Sequence, residues 1–393
     1  MNVLFVTKKD SSLLLGGIEL ITAKIATHLF TFYQYNCSLV YWDDISSELV
    51  YKSCWKERYK FQDLIINEEI IKSKKYDAII VQQVPDAIFY LKQYIYDNGL
   101  STKLIYVQHD CLSINQSLSK KHSLIYRLKR NKFHSLKELM FLILFPFYAY
   151  VSEYRLIKNF RPAFDMADQV VILSNRFLSY GKKIIGKKNL SKVVAIENFL
   201  TLPVKAPSLI ELKNKSKEVL IVSRLCEERK RISIALKIWN IIEKTIGETE
   251  WKLIIVGDGE DTRFYKELVE KYQLKRVSFE GKCKNVIPYY KSASLFMMTS
   301  DLEGWGLTLT ESLQMGVVPF VFNSFESLHD IIIDNLNGCI ISNGNIKEYA
   351  IRMLEIMNNS DKRYVMAVNG VKSAQQFSVV RIISKWKFLL EEK

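Results

Sequence analysis

The sequence has no paired cysteines. Its six, Cys37, Cys54, Cys111, Cys226, Cys283 and Cys339, are scattered over 393 residues with no C-x-x-C spacing. That argues against a zinc site and against a disulfide framework, and fits reduced thiols in a reducing compartment. A long apolar run is also missing. The longest, residues 139–151, contains Pro146 and falls short of the roughly 20 residues a helix needs to cross a bilayer. Residues 1–7 are too short an apolar stretch for a signal peptide and read as a first buried strand. There is no internal repeat and no low-complexity tail.

What is present is ordinary globular material, 48% hydrophobic and 25% charged. The length exceeds one hydrophobic core, so two domains are expected. The net charge of +14 asks for an anionic partner: nucleic acid, an acidic membrane surface or a phosphorylated substrate.

Short apolar runs alternate with helical patterns along the whole chain. Strands are expected over 3–7, 38–42, 76–82, 103–110, 169–174 and 192–196. A helix over 18–30 carries Ile18, Ile21, Ile25 and Leu29 on one face. Residues 201–217 contain Pro203, Pro207 and several lysines without periodicity and read as a linker. A second series follows, with strands over 218–223, 251–256, 276–279, 295–298 and 339–341 and another starting at Val317. Helices are expected over 232–244, 262–272 and 307–315. This alternation predicts an α/β protein with a doubly wound parallel sheet in each half. The expected boundaries are 1–200, a linker at 201–217, 218–375, and a terminal helix over 376–393 that packs back on the first domain.

Residues 118–161 differ in composition. Lys129, Arg130, Lys132, Arg155, Lys158 and Arg161 are interleaved with Phe133, Phe141, Phe147, Tyr148 and Tyr150. Basic and aromatic residues together suggest a surface that lies on an anionic membrane. The plainer reading is an insertion whose apolar side chains cover the domain core while its lysines are solvated.

The chemistry concentrates after residue 294. A buried strand ends in a polar break, then Glu303 and the turn Gly304-Trp305-Gly306, then a helix stopped by Gly316. Open α/β sheets bind ligands at the carboxyl ends of their strands. Glycines and a helix N-terminus there suit an anion. Two carboxylates, Glu303 and Glu311, do not suit an anion alone. They fit a ligand that also carries hydroxyls, as a nucleotide sugar does. The alternative is that Glu303 favours the helix start electrostatically and Glu311 is a solvated helix residue.

Arg224 directly follows the first strand of the second half, and Lys230 opens the next helix. A helix N-terminus contributes about 0.3–1 kcal/mol to anion binding. Micromolar to millimolar affinity needs roughly 4–8 kcal/mol, so cationic side chains are expected as well. Arginine grips phosphate in a bidentate way and lysine adds a point charge. A solvated basic loop remains the alternative, more credible for Arg229 and Arg231 than for Arg224.

Gly16-Gly17-Ile18-Glu19, His109-Asp110, Asn198, Ser223-Arg224-Leu225 with Lys230, Val256-Gly257-Asp258-Gly259, Gly281 and Glu303-x7-Glu311 occur in a recognisable order. On these residues the chain resembles the large family of retaining glycosyltransferases with the two-Rossmann GT-B fold, the group 1 glycosyl transferases. The resemblance spans nearly the whole chain and is strongest from Leu220 to Ile341.

It implies two Rossmann-like domains facing a cleft, with a donor site in the second domain. Arg224 and Lys230 would neutralise the diphosphate, and Glu311 would bind the ribose hydroxyls. Glu303 would lie near the donor sugar and leaving phosphate. Gly304, Gly306, Leu307 and Thr308 would contact sugar and phosphate, and Lys282 and Cys283 after Gly281 would frame the base. From the first domain, Gly16 and Gly17 would approach the phosphates, and His109 would face the donor sugar across the cleft. Glu19, Asp110 and Asn198 would line the acceptor side.

Two positions depart from the family pattern. The Arg224–Lys230 spacing is a residue long, so Arg229 could take the lysine's role, and Asn198 is followed by Phe199 where glycine is usual. No Asp-x-Asp motif stands at a strand end to hold a metal, and with two cations present none is needed for charge. The expected activity is transfer of a hexose-type sugar from a nucleoside-diphosphate sugar, UDP-sugar favoured, to a lipid-linked or cell-surface glycan. The expected location is the cytoplasmic face of the membrane, without metal cofactor or nucleic acid. The alternatives are a basic two-domain nucleic-acid-binding protein, against which no nucleic-acid motif is found, and a non-catalytic scaffold.

Overall fold

The computed structural model describes residues 1–11, 16–43, 55–61, 75–110, 140, 143–247 and 249–392. It divides into two compact units. The first draws on 1–113, 150–199 and 377–393, the second on 114–149 and 200–376.

The first unit is built on a parallel sheet of seven strands: β1 (Asn2–Lys9), β2 (Asn36–Asp43), β3 (Glu57–Lys60), β4 (Ala78–Gln82), β5 (Lys103–Gln108), β6 (Gln169–Ile172) and β7 (Val193–Ala195). Their order is β3-β2-β1-β4-β5-β6-β7. β1 lies at the centre and pairs in parallel with β2 and β4. Val3, Leu4 and Phe5 are fully buried, as expected for a strand covered on both faces. The helix Gly17–Tyr33 buries Ile21, Ile25 and Leu29 and stops at Gln34, whose φ of 56° is left-handed. It runs one turn beyond the expected 18–30.

β5 ends at Gln108, short of the expected 103–110. His109 and Asp110 therefore stand beyond the strand, in the loop at its carboxyl end. β3 was not expected. Its Glu-Arg-Tyr-Lys sequence has no apolar run, because it is a short, charged edge strand.

The terminal helix Val379–Glu391 belongs to this unit and buries Ile382, Ile383, Trp386, Leu389 and Leu390. The Tyr35 hydroxyl donates to Glu391 Oε1 at 2.5 Å, and Lys103 Nζ donates to the Leu389 carbonyl at 2.7 Å. Phe388 on the same helix is exposed.

The second unit repeats the plan with β8 (Ser216–Val222), β9 (Lys252–Val256), β10 (Val277–Gly281), β11 (Ala293–Met298), β12 (Val318–Phe322) and β13 (Cys339–Ile341). Their order is β10-β9-β8-β11-β12-β13, again with parallel neighbours. Trp239, Tyr265, Phe320 and Tyr349 fill its core.

Residues 201–217, expected as a linker, contain structure that belongs to this unit. Ser208 and Glu211 form a capping box that starts the helix Leu209–Lys213. Leu212 is buried, and Gln314 Nε2 donates to the Leu202 carbonyl at 2.9 Å. A five-residue helix is too short to show a period, so prolines and lysines dominated the reading.

In each sheet the order reverses beside its first strand, at β1/β4 and at β8/β11. Such a reversal opens a crevice at the carboxyl ends of the strands. Most of the basic and aromatic 118–161 insertion, including Lys129, Arg130, Lys132, Phe133 and Phe141, lies outside the described residues, as do Cys54 and Cys111. Cys37, Cys226, Cys283 and Cys339 are free thiols. Among the described residues no helix is long and apolar enough to cross a membrane.

Candidate active site

The β8/β11 reversal holds a pocket lined by Val222, Ser223, Lys230, Met298, Thr299 and Thr308. Two glycines pack behind the lining residue Ser223 and its neighbour Leu225. Gly257 has φ +136°, and a Cβ there would lie 1.8 Å from the Ser223 carbonyl oxygen. A Cβ on Gly259 would lie 2.3 Å from the Leu225 carbonyl oxygen. The loop after β9 thus passes backbone to backbone against residues 223–225, with the Leu225 N–H donating to the Asp258 carbonyl at 3.0 Å. This contact sets where Arg224 leaves the sheet.

Arg224 is largely exposed, and its guanidinium lies 3.7 Å from Glu260. That pair is long and solvent-screened, so it restrains the side chain little. Lys230 closes the short helix Glu227–Lys230, and its Nζ meets Glu303 Oε1 at 2.5 Å, both side chains being mostly buried. Arg229 is exposed and contributes its carbonyl to the Asp301 N–H at 2.9 Å. The structure therefore puts Lys230 beside Glu303. Glu303 pairs with a cation, which its reading as a helix-start residue alone did not include.

Gly304 accepts a hydrogen bond from Ser327 Oγ on its carbonyl, at 2.9 Å. Gly306, with φ 83°, caps the helix Leu307–Gln314. The first N–H groups of that helix, on Leu307 and Thr308, have no partner within the helix, as at any helix start. Glu311 is a correction to the solvated-helix alternative, because it is only 7% exposed. Its Oε1 accepts from the Thr201 hydroxyl and its Oε2 from the Tyr290 hydroxyl at 3.0 Å.

Lys282 is exposed at the end of β10. Beside it the Cys283 Sγ lies 3.6 Å from the Tyr289 hydroxyl. Among the described residues one group has metal-ligand types close together, Cys226, Glu260 and Asp261. There Asp261 Oδ2 already accepts the Glu227 N–H at 2.8 Å, and Glu260 faces Arg224.

The first unit carries the remaining residues. Gly16 is the extended N-cap of the helix Gly17–Tyr33, and a Cβ on it would lie 2.7 Å from Glu19 Oε2. Glu19 thus folds back over that helix start. Asn198 is buried in the loop after β7. Asp110 Oδ2 accepts from Gln83 Nε2 at 2.9 Å, while the Gln83 side-chain oxygen accepts the His109 and Asp110 N–H groups.

His109 is buried with Nε2 2.5 Å from Gln82 Oε1. The Gln82 side-chain amide thus holds the ring through Nε2. Burial pushes the imidazole down to about 4, against a smaller upward pull from Asp110. In the unfolded chain it titrates near ~6.5. Between those values the unfolded state holds the extra proton, so stability is full above pH 6.5 and falls as pH drops towards 4. We expect wild type to lose about 3 kcal/mol more than His109→Gln across that window. Denaturant melts at pH 7 and pH 4.5 measure this, and equal losses would contradict a buried neutral ring.

Sequence reading missed Tyr290 and Thr201 beneath Glu311, and Gln82 and Gln83 around His109. The two glutamines had a local signal, as a polar pair closing the apolar run before Val84. Tyr290 and Thr201 had none, since their partner is 21 and 110 residues away.

Two Rossmann-like units of this plan are the architecture of the GT-B fold. Residues 208–373, within the second unit, match the family described as glycosyl transferases group 1. An uncharacterized glycosyltransferase of Haemophilus influenzae is 27% identical over 201 residues, covering 51% of this chain and 55% of that protein. The poly(glycerol-phosphate) alpha-glucosyltransferase of Bacillus subtilis is 26% identical over 187 residues, covering 47% of this chain and 27% of that protein. The matched part of this chain thus spans about half of the first relative and about a quarter of the second. The crystal structure of Anabaena HepE in complex with UDP and glucose superposes with a TM-score of 0.71 at 17% identity, covering all of both chains.

Proposed function

We propose that the protein is a retaining, metal-independent glycosyltransferase. It moves a hexose-type sugar from a nucleoside-diphosphate sugar, UDP-sugar favoured, to a lipid-linked or cell-surface glycan. The observation that carries this reading is the Lys230–Glu303 pair at the β8/β11 reversal, beside the start of the helix Leu307–Gln314 that carries buried Glu311. The B. subtilis relative's name and the UDP and glucose in the HepE structure support the substrate classes.

In this reading Lys230 and Arg224 stabilise the charge that builds on the diphosphate as the glycosidic bond breaks. The Leu307 and Thr308 N–H groups add fixed donors at the same place. Glu311 accepts from the ribose hydroxyls while Thr201 and Tyr290 hold it in one rotamer. Lys282 and Cys283 border the base. Gly16 and Gly17 leave room for phosphate. His109, kept neutral by burial, accepts a hydrogen bond from a donor-sugar hydroxyl, and Glu19, Asp110 and Asn198 line the acceptor side. Because two cations supply the charge, turnover is expected to be unchanged in excess EDTA. Loss of activity restored by Mg²⁺ or Mn²⁺ would refute metal independence. The whole reading is tested by turnover with a panel of UDP-, GDP- and ADP-sugars, with the product's anomeric configuration read by NMR. No turnover with any donor would refute it.

The acceptor side is proposed to work on the cytoplasmic face of an anionic membrane. The helix Phe145–Met166 exposes Phe147, Tyr150 and Tyr154 at spacings of three and four, followed by exposed Arg155 and Lys158. That is one aromatic face with basic neighbours. Replacing Phe147, Tyr150 and Tyr154 with serine is expected to weaken binding to phosphatidylglycerol vesicles about tenfold or more. Unchanged co-sedimentation would remove this surface from the proposal.

A further inference from the structure

Arg231 has a backbone that its residue type disfavours. It joins the helix Glu227–Lys230 to the helix Ile232–Ile246 at φ 49° and ψ 43°, in the left-handed region that glycine enters without steric cost. An arginine at such a corner needs a reason in its side chain. The guanidinium is buried, 9% exposed, and each of its nitrogens is engaged. Nε donates to the Thr299 carbonyl at 2.8 Å, and one terminal nitrogen donates to the Ser300 carbonyl and to Asn343 Oδ1, both at 2.9 Å. The other lies 2.7 Å from Asp301 Oδ1, whose side chain is 5% exposed. The planar group also lies 5.4 Å from the centre of the Phe322 ring.

The contact is returned from the other side. The Asp301 N–H donates to the Arg229 carbonyl at 2.9 Å, and Thr299 Oγ1 donates to the Lys230 carbonyl at 3.0 Å. The segment after β11 and the segment after β8 are thus tied together by one fork of donors and two return bonds. Lys230 lies immediately before that tie in the chain, and Glu303 lies two residues after Asp301.

We infer that Arg231 is a positioning residue: it locks residues 299–301 against residues 229–231 and so fixes the Lys230–Glu303 pair at the spacing that holds a nucleoside diphosphate. This rests on the donor-site reading above. A lysine would not replace it, because a point charge cannot serve two carbonyls, an amide and a carboxylate in one plane. Stability alone does not account for the pair either, since buried ion pairs exchanged whole for apolar residues often leave stability unchanged.

The test is calorimetric binding of UDP, GDP and ADP, and of uridine, guanosine and adenosine. It compares wild type, Arg231→Gly, Arg231→Lys, the double replacement Arg231→Met with Asp301→Leu, Lys230→Ala, and Arg231→Gly combined with Lys230→Ala. The double replacement removes both charges together, so it guards against an unfolded single variant. For the diphosphate that wild type binds, each Arg231 variant that melts cooperatively is expected to lose about tenfold or more in affinity, with nucleoside affinity within about twofold of wild type. Added to Lys230→Ala, Arg231→Gly is expected to cost no more than about another twofold, because both act through one group. Unchanged diphosphate affinity in the folded double replacement, equal losses for nucleoside and diphosphate, or additive losses would each overturn the inference. If Lys230→Ala binds diphosphate as wild type does, or wild type binds none of the three, the donor-site reading fails and this proposal with it.

Discussion

Lys230→Ala is expected to lower kcat by about 10²–10³-fold, the range seen when one fixed donor to a developing anion is removed. Two effects act together. The variant loses the cation that faces the leaving diphosphate, and it leaves Glu303 mostly buried without its partner at 2.5 Å. An uncompensated carboxylate beside a diphosphate repels it, so KM for the donor should rise as well. Glu303→Gln separates the two effects. It keeps Lys230 and removes the negative charge, so diphosphate binding should hold or tighten while kcat still falls. Arg224→Ala should be milder, because Arg224 is exposed and only loosely paired. Steady-state kinetics on the four proteins check this ranking. A Lys230→Ala enzyme within about threefold of wild type would remove the pair from the mechanism.

The second large effect is expected at Glu311, where binding and folding are joined. Glu311→Ala removes the acceptor for the buried Tyr290 hydroxyl and for Thr201. Thr201 loses its acceptor, while Tyr290 keeps a longer bond to the Thr308 carbonyl at 3.3 Å, so the cost is roughly 1–3 kcal/mol. Burial alone still keeps the Tyr290 phenol protonated in this variant, so it does not escape the cost by ionising. Glu311→Gln retains one oxygen and should cost less in stability. It still weakens a contact to ribose hydroxyls, so UDP affinity should fall about tenfold. Chemical denaturation and UDP titration of both variants test this. Loss of stability without loss of affinity would make Glu311 a structural residue only.

The parallel sheets were legible because their strands are apolar on both faces. Val3–Phe5 and Leu295–Met298 announce themselves as short unbroken runs. Lys230, Glu303 and Glu311 stood out because they lie near strand ends and helix starts, where chain order often places chemistry. What escaped has two physical causes. The edge strand Glu57–Lys60 and the helix Leu209–Lys213 bury too little to impose a period. Tyr290, Thr201 and Arg231 act through contacts made far along the chain, and Arg231's left-handed turn leaves no trace in local composition. Support for a catalytic residue comes from whatever the fold brings beneath it, and a linear pattern records only the residue.

The most direct test of the central claim is a crystal of this protein soaked with UDP. The account expects the pyrophosphate at the carboxyl ends of β8 and β11, within hydrogen-bond distance of Lys230 and the Leu307–Thr308 backbone, with the ribose on Glu311. UDP bound elsewhere, with Lys230 still closed on Glu303 and Glu311 still held by Thr201 and Tyr290, would contradict it.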